Sequence, residues 1–368
     1  MSVLWLAVLT IVLAALQAAI FRIFNLKKLS YNRRFSVKAG YEGQKCELLE
    51  EIKNEKPLPV PWLRAESRIP RELSFEKEKL DAHEVSGGLY HKSLFFLAPM
   101  NALTRHHEIT FKRRGVYYAG SVALTAGDLF ALSRCEEQLE LDCGITVYPR
   151  ILDRNELPDP ANRWLGDTVV KRWIMPDPFL VNGIREYRAG DSLKDIHWRA
   201  SAHTGELRVK AHDYTSDTNA FIILNIQTSE NQWADVGKQN VEFVENSIRI
   251  AATLCVRALE TGINAGFASN ACLIGEKGSG ACVLVPAAGG SQQAQKLLDT
   301  MAKMLLIRET NFHTYLEALA RDIKGQDILV ITPYVNTEIE KATDMLKREN
   351  TVNFFIPERG AISIEETA

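Results

Sequence analysis

The chain lacks an excess of charge of one sign, lacks cysteine pairs at metal-binding spacing, and has only one strongly apolar run of membrane-span length. Its 368 residues carry 44 Lys and Arg against 46 Asp and Glu, a formal net charge of −2. Nucleic-acid binding needs a basic field, so this balance argues against nucleic acid as the main partner. The six cysteines are Cys46, Cys135, Cys143, Cys255, Cys272 and Cys282, and none belongs to a Cys-x-x-Cys pair. Such spacing predicts reduced, mostly buried thiols with no zinc site and no disulfide framework. A Gly-x-Ser-x-Gly elbow for a nucleophilic serine is also missing. Gly275-Glu276-Lys277-Gly278-Ser279-Gly280 holds glycines and a lysine, but not in the order of a phosphate loop. It falls between two expected strands, so a hairpin turn is the expectation there. Apolar residues at 46% and charged residues at 24% are globular values. The length predicts two or three domains.

That apolar run, Ser2 to Phe21, carries no charged side chain. At about 1.5 Å per residue a helix of that length makes roughly one bilayer crossing, so a transmembrane anchor is expected over residues 1–24. A cleaved signal peptide would want basic residues ahead of the apolar run, and there are none. Arg22, Lys27, Lys28, Arg33 and Arg34 follow it. Positive charge stays on the cytoplasmic side, which predicts a single-pass cell-membrane protein with its domains in the cytoplasm. The membrane is therefore the first expected partner.

Residues 29–150 have the grammar of a β-rich, sandwich-like domain. Ile109, Phe111, Val116 and Tyr118 keep a two-residue period around Gly115. Pro57, Pro59 and Pro61 ahead of Trp62 predict an extended edge or loop. Residues 151–218, with five prolines from Pro149 to Pro178 around their start, predict a connecting region. Residues 219–368 alternate strand and helix. Ala220–Ile226 is an apolar run but for Asn225, as in a strand buried on both faces. Val241–Glu260 has apolar residues at helical spacing, and a helix over Ser291–Ile307 is expected with Ser291 as its N-cap. Further strands are expected at Ile263–Ala268, Ala281–Val285, Asp327–Thr332 and Thr351–Ile356, and a helix at Asn336–Lys347. The alternation predicts an open, mainly parallel α/β sheet.

Between these halves lies the densest motif of the chain. It reads Gly183, Arg185, Tyr187, Gly190, Asp191, then Ile196, Trp198, Ser201 and Ala202. This run resembles the signature of the domain of unknown function family number fifty-eight. Lys194 and His203 stand where that pattern usually has Arg. Leu58–Leu63 and Arg114–Tyr117 with Asp128–Phe130 are similar to its N-terminal part, with Ala131-Leu132 in place of a usual Gly-Leu. The resemblance implies a multi-domain fold: an N-terminal transmembrane helix, a β-sandwich-like domain and an α/β open-sheet domain of von Willebrand factor A type. It also implies a protein without known catalytic activity, often encoded beside MoxR-type AAA+ ATPases and transglutaminase-like membrane proteins.

The von Willebrand A fold often binds Mg²⁺ through Asp-x-Ser-x-Ser after its first strand, because a hard cation wants charged oxygen ligands. Here the corresponding residues are Asn225-Ile226-Gln227-Thr228-Ser229, and only Ser229 keeps the residue type. Thr332-Pro333-Tyr334 stands where a second carboxylate is usual. A degenerate site without metal or other cofactor is the expectation. In the signature itself, Asp191, Asp195 and His197 could run acid–base chemistry in an enzyme. The plainer expectation is ion pairs among Arg185, Glu186, Arg188, Asp191 and Lys194 on a structured loop, with Tyr187 and Trp198 packing it down. Cys255 is expected in the core. His106 and His107 are expected on opposite faces of a strand. The leading expectation is an interaction or adaptor protein whose partner is an AAA+ ATPase. Ligands of open α/β sheets favour the carboxyl ends of the strands, which points to Asn225–Trp233 and Thr332–Asn336.

Overall fold

Alternating burial builds the first half of the molecule. Lys45–Asn54 hides Cys46, Leu48, Glu50, Ile52 and Asn54 and turns Lys45, Glu47 and Lys53 to solvent. The computed structural model describes residues 2–24, 26–75, 83–85, 88–130, 132–174, 181–188, 191–212, 219–230, 232 and 235–358. The chain divides into two units, Met1–Arg150 and Ile151–Ala368.

In the first unit one antiparallel sheet has the order Leu29–Phe35, Lys45–Asn54, Asn101–Phe111, Leu73–Phe75. A second runs Arg134–Glu140, Ser121–Gly127, Val60–Ile69, Gly88–Leu97, His83–Val85. Tyr31 and Ile52 of the first meet Leu63, Ala65, Phe95, Val122 and Leu124 of the second in one core. A small third sheet of Ala39–Tyr41, Gly144–Tyr148 and Gly115–Tyr118 joins another core with Leu48, Ile109 and Phe111. Each buried Leu, Ile, Val or Phe among them contributes about 1.5–3 kcal/mol. Arg33, Glu50 and His107 are sealed within the unit. Glu50 takes hydrogen bonds from the Arg33 guanidinium, from Tyr31 Oη at 2.9 Å and from His107 Nε2 at 3.0 Å. His106 faces the other way, exposed, 2.9 Å from Glu47.

The helix Ser2–Phe24 stands where the sequence predicts a membrane span. Among the described residues no helix is long and apolar enough to cross a membrane, and this corrects the transmembrane helix of the expected fold class. Thr10 and Gln17 interrupt the apolar run, and Phe21 is buried.

The second unit centres on Asn219–Leu224, buried from Ala220 onward. Asn264–Ser269 and Gln326–Ile331 flank it, both parallel. Thr351–Phe355 extends one side in parallel, and Val283–Ala288 closes the other side antiparallel. Helices Phe312–Asp322 and Thr337–Leu346 bury Phe312, Leu316, Leu319, Ile339 and Leu346 against Phe221, Ile223, Ile328 and Val330. Helix Val241–Glu260 covers the strands from the other face, with Val244, Ile248, Ala251, Ala252 and Cys255 buried as its period requires. Burial pushes the Cys255 thiol far up, so it is a core atom and not a nucleophile. Gly266 has no room for a side chain, since a Cβ there would meet the Phe221 ring at 2.4 Å.

Residues after Arg150 pack into this unit. Leu152 N–H donates to Thr253 Oγ1 at 2.9 Å, and helix Asp159–Ile174 is tied down where Trp164 Nε1 and Thr168 Oγ1 donate to the buried Asp327 carboxylate at 3.1 and 3.3 Å. Three local expectations change. The helix from Ser291 ends at Lys303, and Met304–Arg308 becomes a strand paired with Ala271–Leu273. Its N-cap is Gly290, at φ 88°, and not Ser291. The Gly275–Gly280 segment is no hairpin turn, because the strands on either side pair elsewhere. The Glu309 carboxylate holds it, accepting from Gly278 N–H at 3.1 Å and Gly280 N–H at 2.7 Å.

Candidate functional site

The signature folds as a hairpin with an insert. Val181–Glu186 pairs antiparallel with Arg208–His212, and the register shifts between Val181 and Gly183. Between them a 3-10 turn at Leu193–Asp195 leads into the short helix Trp198–Thr204. Arg185 grips Asp191 with both guanidinium ends, each 2.6 Å from a carboxylate oxygen. The Arg188 N–H adds a third bond at 2.7 Å. These hydrogen bonds, Arg185 first and the Arg188 amide second, hold the Asp191 carboxyl down to about 2. Tyr187 is half-buried and its N–H donates to Leu207 O. Gly190 lies outside the described residues.

His197 caps the helix: its Nδ1 accepts from Ala200 N–H at 3.1 Å, and its backbone N–H donates to Arg208 O at 2.8 Å. Ser201 Oγ locks the return, accepting from Arg208 N–H at 2.8 Å and donating to His197 O at 3.1 Å. Gly205 ends the helix in the left-handed region at φ 75°. Asp191 and His197 are thus both engaged in shaping the loop, while Asp195 sits in the 3-10 turn. Ile196 is buried and bridges Val209. Trp198 does not pack the loop down as expected; it is 69% exposed. It opens a helix whose residues are all at least partly exposed, so it does not share the strand face of Ile196.

A second set of functional candidates meets at the carboxyl ends of the three central strands. Asn225 follows the first, Asn270 the second and Thr332 the third, and all three are buried. Asn225 Oδ1 accepts from Gln227 N–H at 2.9 Å and Asn270 Nδ2 at 3.2 Å, while its Nδ2 donates to Thr332 Oγ1 at 3.1 Å. Thr332 passes its own hydrogen to Tyr334 O at 2.7 Å. Gln227 Nε2 donates to the carbonyls of Ser229 and Glu230 at 3.0 and 3.1 Å, and Gln232 Oε1 accepts from both N–H and Oγ1 of Thr228. Ser229 itself is exposed. The seam is neutral, and its side chains bond to one another and to nearby backbone except at Gln232 Nε2, which is buried without a hydrogen-bond partner among the described residues. Among the described residues no group of three His, Cys, Asp or Glu is placed to hold a metal. Outside the seam opens a polar pocket of about 300 Å³, lined by Glu230, His313, Tyr334, Asn336 and Glu338 among others. Asn336 Nδ2 donates to Glu230 Oε1 at 2.6 Å, and His313 Nδ1 lies 3.1 Å from Glu338 Oε2. Sequence reading placed Asn225 and Ser229, and Gln232 within the stretch Asn225–Trp233, but missed Asn270. The available signal was a polar residue straight after each buried apolar strand.

Residues 183–354 match the family model described as Protein of unknown function DUF58. That stretch begins at the signature and takes in the sheet of the second unit. The chain is also similar to the Uncharacterized protein YeaD of Bacillus subtilis (strain 168), 20% identical over 254 residues, which are 69% of this chain and 59% of that protein. The chain thus spans about three-fifths of that relative's length. Among solved structures, a non-cellulosomal cohesin from Archaeoglobus fulgidus matches 34% of this chain and 94% of its own at 12% identity, with a TM-score of 0.20. The CARDB domain of a Pyrococcus furiosus protein matches 33% and 94% at 13% identity, again with a TM-score of 0.20. Superpositions this partial carry no argument about fold or function.

Proposed function

We propose that the second unit is a protein-interaction module of von Willebrand factor A type, and that the chain works as an adaptor for an AAA+ ATPase of the MoxR type. The partner docks at the carboxyl ends of the central strands, over the loops 225–230 and 332–336. The observation that carries this reading is the neutral seam of Asn225, Asn270 and Thr332. Where a cation-dependent relative needs carboxylates, this chain has amides and hydroxyls that satisfy one another. A seam of neutral amides and hydroxyls, with no carboxylate to hold a cation or carry acid–base chemistry, suits a docking face better than a reaction centre. The strand order, with one antiparallel edge strand, supports the fold type. The exposed Trp198 supports recognition at the signature, since Trp is enriched among residues that dominate interface energies. Six free cysteines support a reducing compartment.

The test is co-purification of the tagged full chain from its own cells after reversible crosslinking, with a slowly hydrolysed ATP analogue present. Enrichment of an AAA+ ATPase that disappears in a Glu230→Lys/Glu338→Lys variant is the expected result. Enrichment that is indifferent to those changes, or no ATPase at all, overturns the proposal.

A further inference from the structure

The second unit has an apolar groove apart from the polar pocket. It lies between the start of helix Asp159–Ile174, the start of helix Val241–Glu260 and the end of strand Thr351–Phe355, and measures about 560 Å³. Ile250 and Phe355 are buried and form its floor, and Phe243 and Ile356 wall it. That volume is in the range of sites for ligands of a few side chains. No Lys, Arg or His lines it, whereas Asp159, Glu242 and Glu358 do. Glu242 is matched by the nearly inaccessible Arg249 at 2.6 Å, which leaves Asp159 and Glu358 to set the field at the mouth. A phosphate, a nucleic acid or an acidic peptide would meet like charge there. An apolar group with a cation beside it meets complementary chemistry at both levels. The groove opens at the end of Thr351–Phe355, which is the outermost strand on its side of the sheet among the described residues. An extended chain fits such a strand end, because it can continue the strand's direction and offer backbone groups to the edge.

We propose that this groove binds an extended peptide segment of a partner protein, seating an apolar residue on Ile250 and Phe355 and placing flanking Lys or Arg side chains at Asp159 and Glu358. The inference does not depend on the docking face over the central strands, since it uses other loops.

The experiment is fluorescence anisotropy with the full chain and three labelled probes. The first is Lys-Lys-Val-Leu-Val-Lys-Lys, the second has every Lys replaced by Glu, and the third has the central Leu replaced by Asp. The Lys probe is expected to saturate, and to bind at least about tenfold tighter than either of the others. Ile356→Glu, at a half-exposed position, is expected to weaken it by a similar factor at unchanged Tm. The double variant Asp159→Lys/Glu358→Lys is expected to reverse the preference toward the Glu probe. That charge swap decides alone if Ile356→Glu fails to fold. No saturation below about 1 mM, equal binding of the three probes, or a charge swap that leaves the preference intact overturns the proposal. A dimer in sedimentation equilibrium that Ile356→Glu dissociates also overturns it, by naming a second copy of the chain as the occupant.

Discussion

Arg33 and Glu50 are cross-strand partners in the interior of the first unit, an ion pair with no exposed surface on either side chain. Desolvating two charges is costly, and the pair holds because Tyr31 and His107 complete the hydrogen bonding of the carboxylate. Removing one member strands the other. Glu50→Gln is expected to lower the unfolding free energy by about 3–5 kcal/mol in urea titrations. The apolar double variant Arg33→Met/Glu50→Leu is expected to recover a large part of that loss. A double variant as unstable as the sum of the two single ones would show that the pair is not coupled.

The same carboxylate gives the first unit an acid limb. Burial by itself raises the Glu50 pKa, but the His107 hydrogen bond and the Arg33 charge outweigh it and leave it far below the ordinary glutamate value. A carboxyl lowered on folding adds stability that is complete above its unfolded pKa of about 4.3 and drains away as the pH falls below that. Urea midpoints measured from pH 6 to pH 3 should therefore fall more steeply for the native chain than for Glu50→Gln. Parallel curves would contradict this account.

Asn225→Asp tests the neutrality of the seam. Two donors already point at Asn225 Oδ1, but its Nδ2 donates to Thr332 Oγ1, whose hydrogen is committed to Tyr334 O. A carboxylate there would set an oxygen against an oxygen and bury a charge. A loss of about 1–3 kcal/mol at pH 7 is expected, shrinking as the solution is acidified and the new carboxyl takes up a proton. Unfolding midpoints at pH 7 and pH 5 check both parts.

Trp164→Phe keeps an aromatic ring, though a smaller one, and deletes the N–H that reaches Asp327. Leaving a buried carboxylate oxygen short of a donor is expected to cost about 1–3 kcal/mol. Hydrogen exchange should localise the loosening to residues 159–174, while the first unit keeps its protection. Uniform loosening across both units would argue against this anchor.

Arg185→Lys keeps the charge and loses the fork that grips Asp191 at two points. Global unfolding should change little, because the pair lies at the surface. Protection of the Arg188 amide should drop. In the native chain that protection is expected to persist above the ordinary aspartate pKa of about 3.9 and to fade toward pH 2, where Asp191 takes up its proton.

How much of this was legible beforehand depended on whether local period or tertiary pairing decides a segment. Helix Val241–Glu260 has the bounds its apolar spacing predicts, because one strong face runs its whole length. Phe312, Tyr315, Leu316 and Leu319 carry the same period in a shorter helix, and the reading passed it over. Met304-Leu305-Leu306-Ile307 continues an apolar run that period alone cannot assign, and pairing with Ala271–Leu273 makes it a strand. Ile196 and Trp198, two apart, look like one buried strand face. The helix that starts at Trp198 breaks that period and turns the indole outward. In the candidate site, Asn225 and Ser229 were placed by their correspondence to the Asp-x-Ser-x-Ser position of the von Willebrand A fold, and Gly183–Trp198 by resemblance to the family signature. Asn270 could not be joined to Asn225 from sequence, because 45 positions separate them. The bidentate grip of Arg185 on Asp191 was only one of several ion pairings the charges allowed.

The centre of the second sheet is assembled from distant pieces. Asn219–Leu224 pairs on one side with Asn264–Ser269 and on the other with Gln326–Ile331. A chain growing on the ribosome has all of Met1–Arg150 in hand before any of this sheet exists, so the β unit can close its cores first. The strand Asn219–Leu224 then waits, apolar and open along one edge, until residue 331 has emerged. Synthesis stalled between those points leaves the apolar strand without its partner on one side, the interval when its edge is most open to wrong pairing.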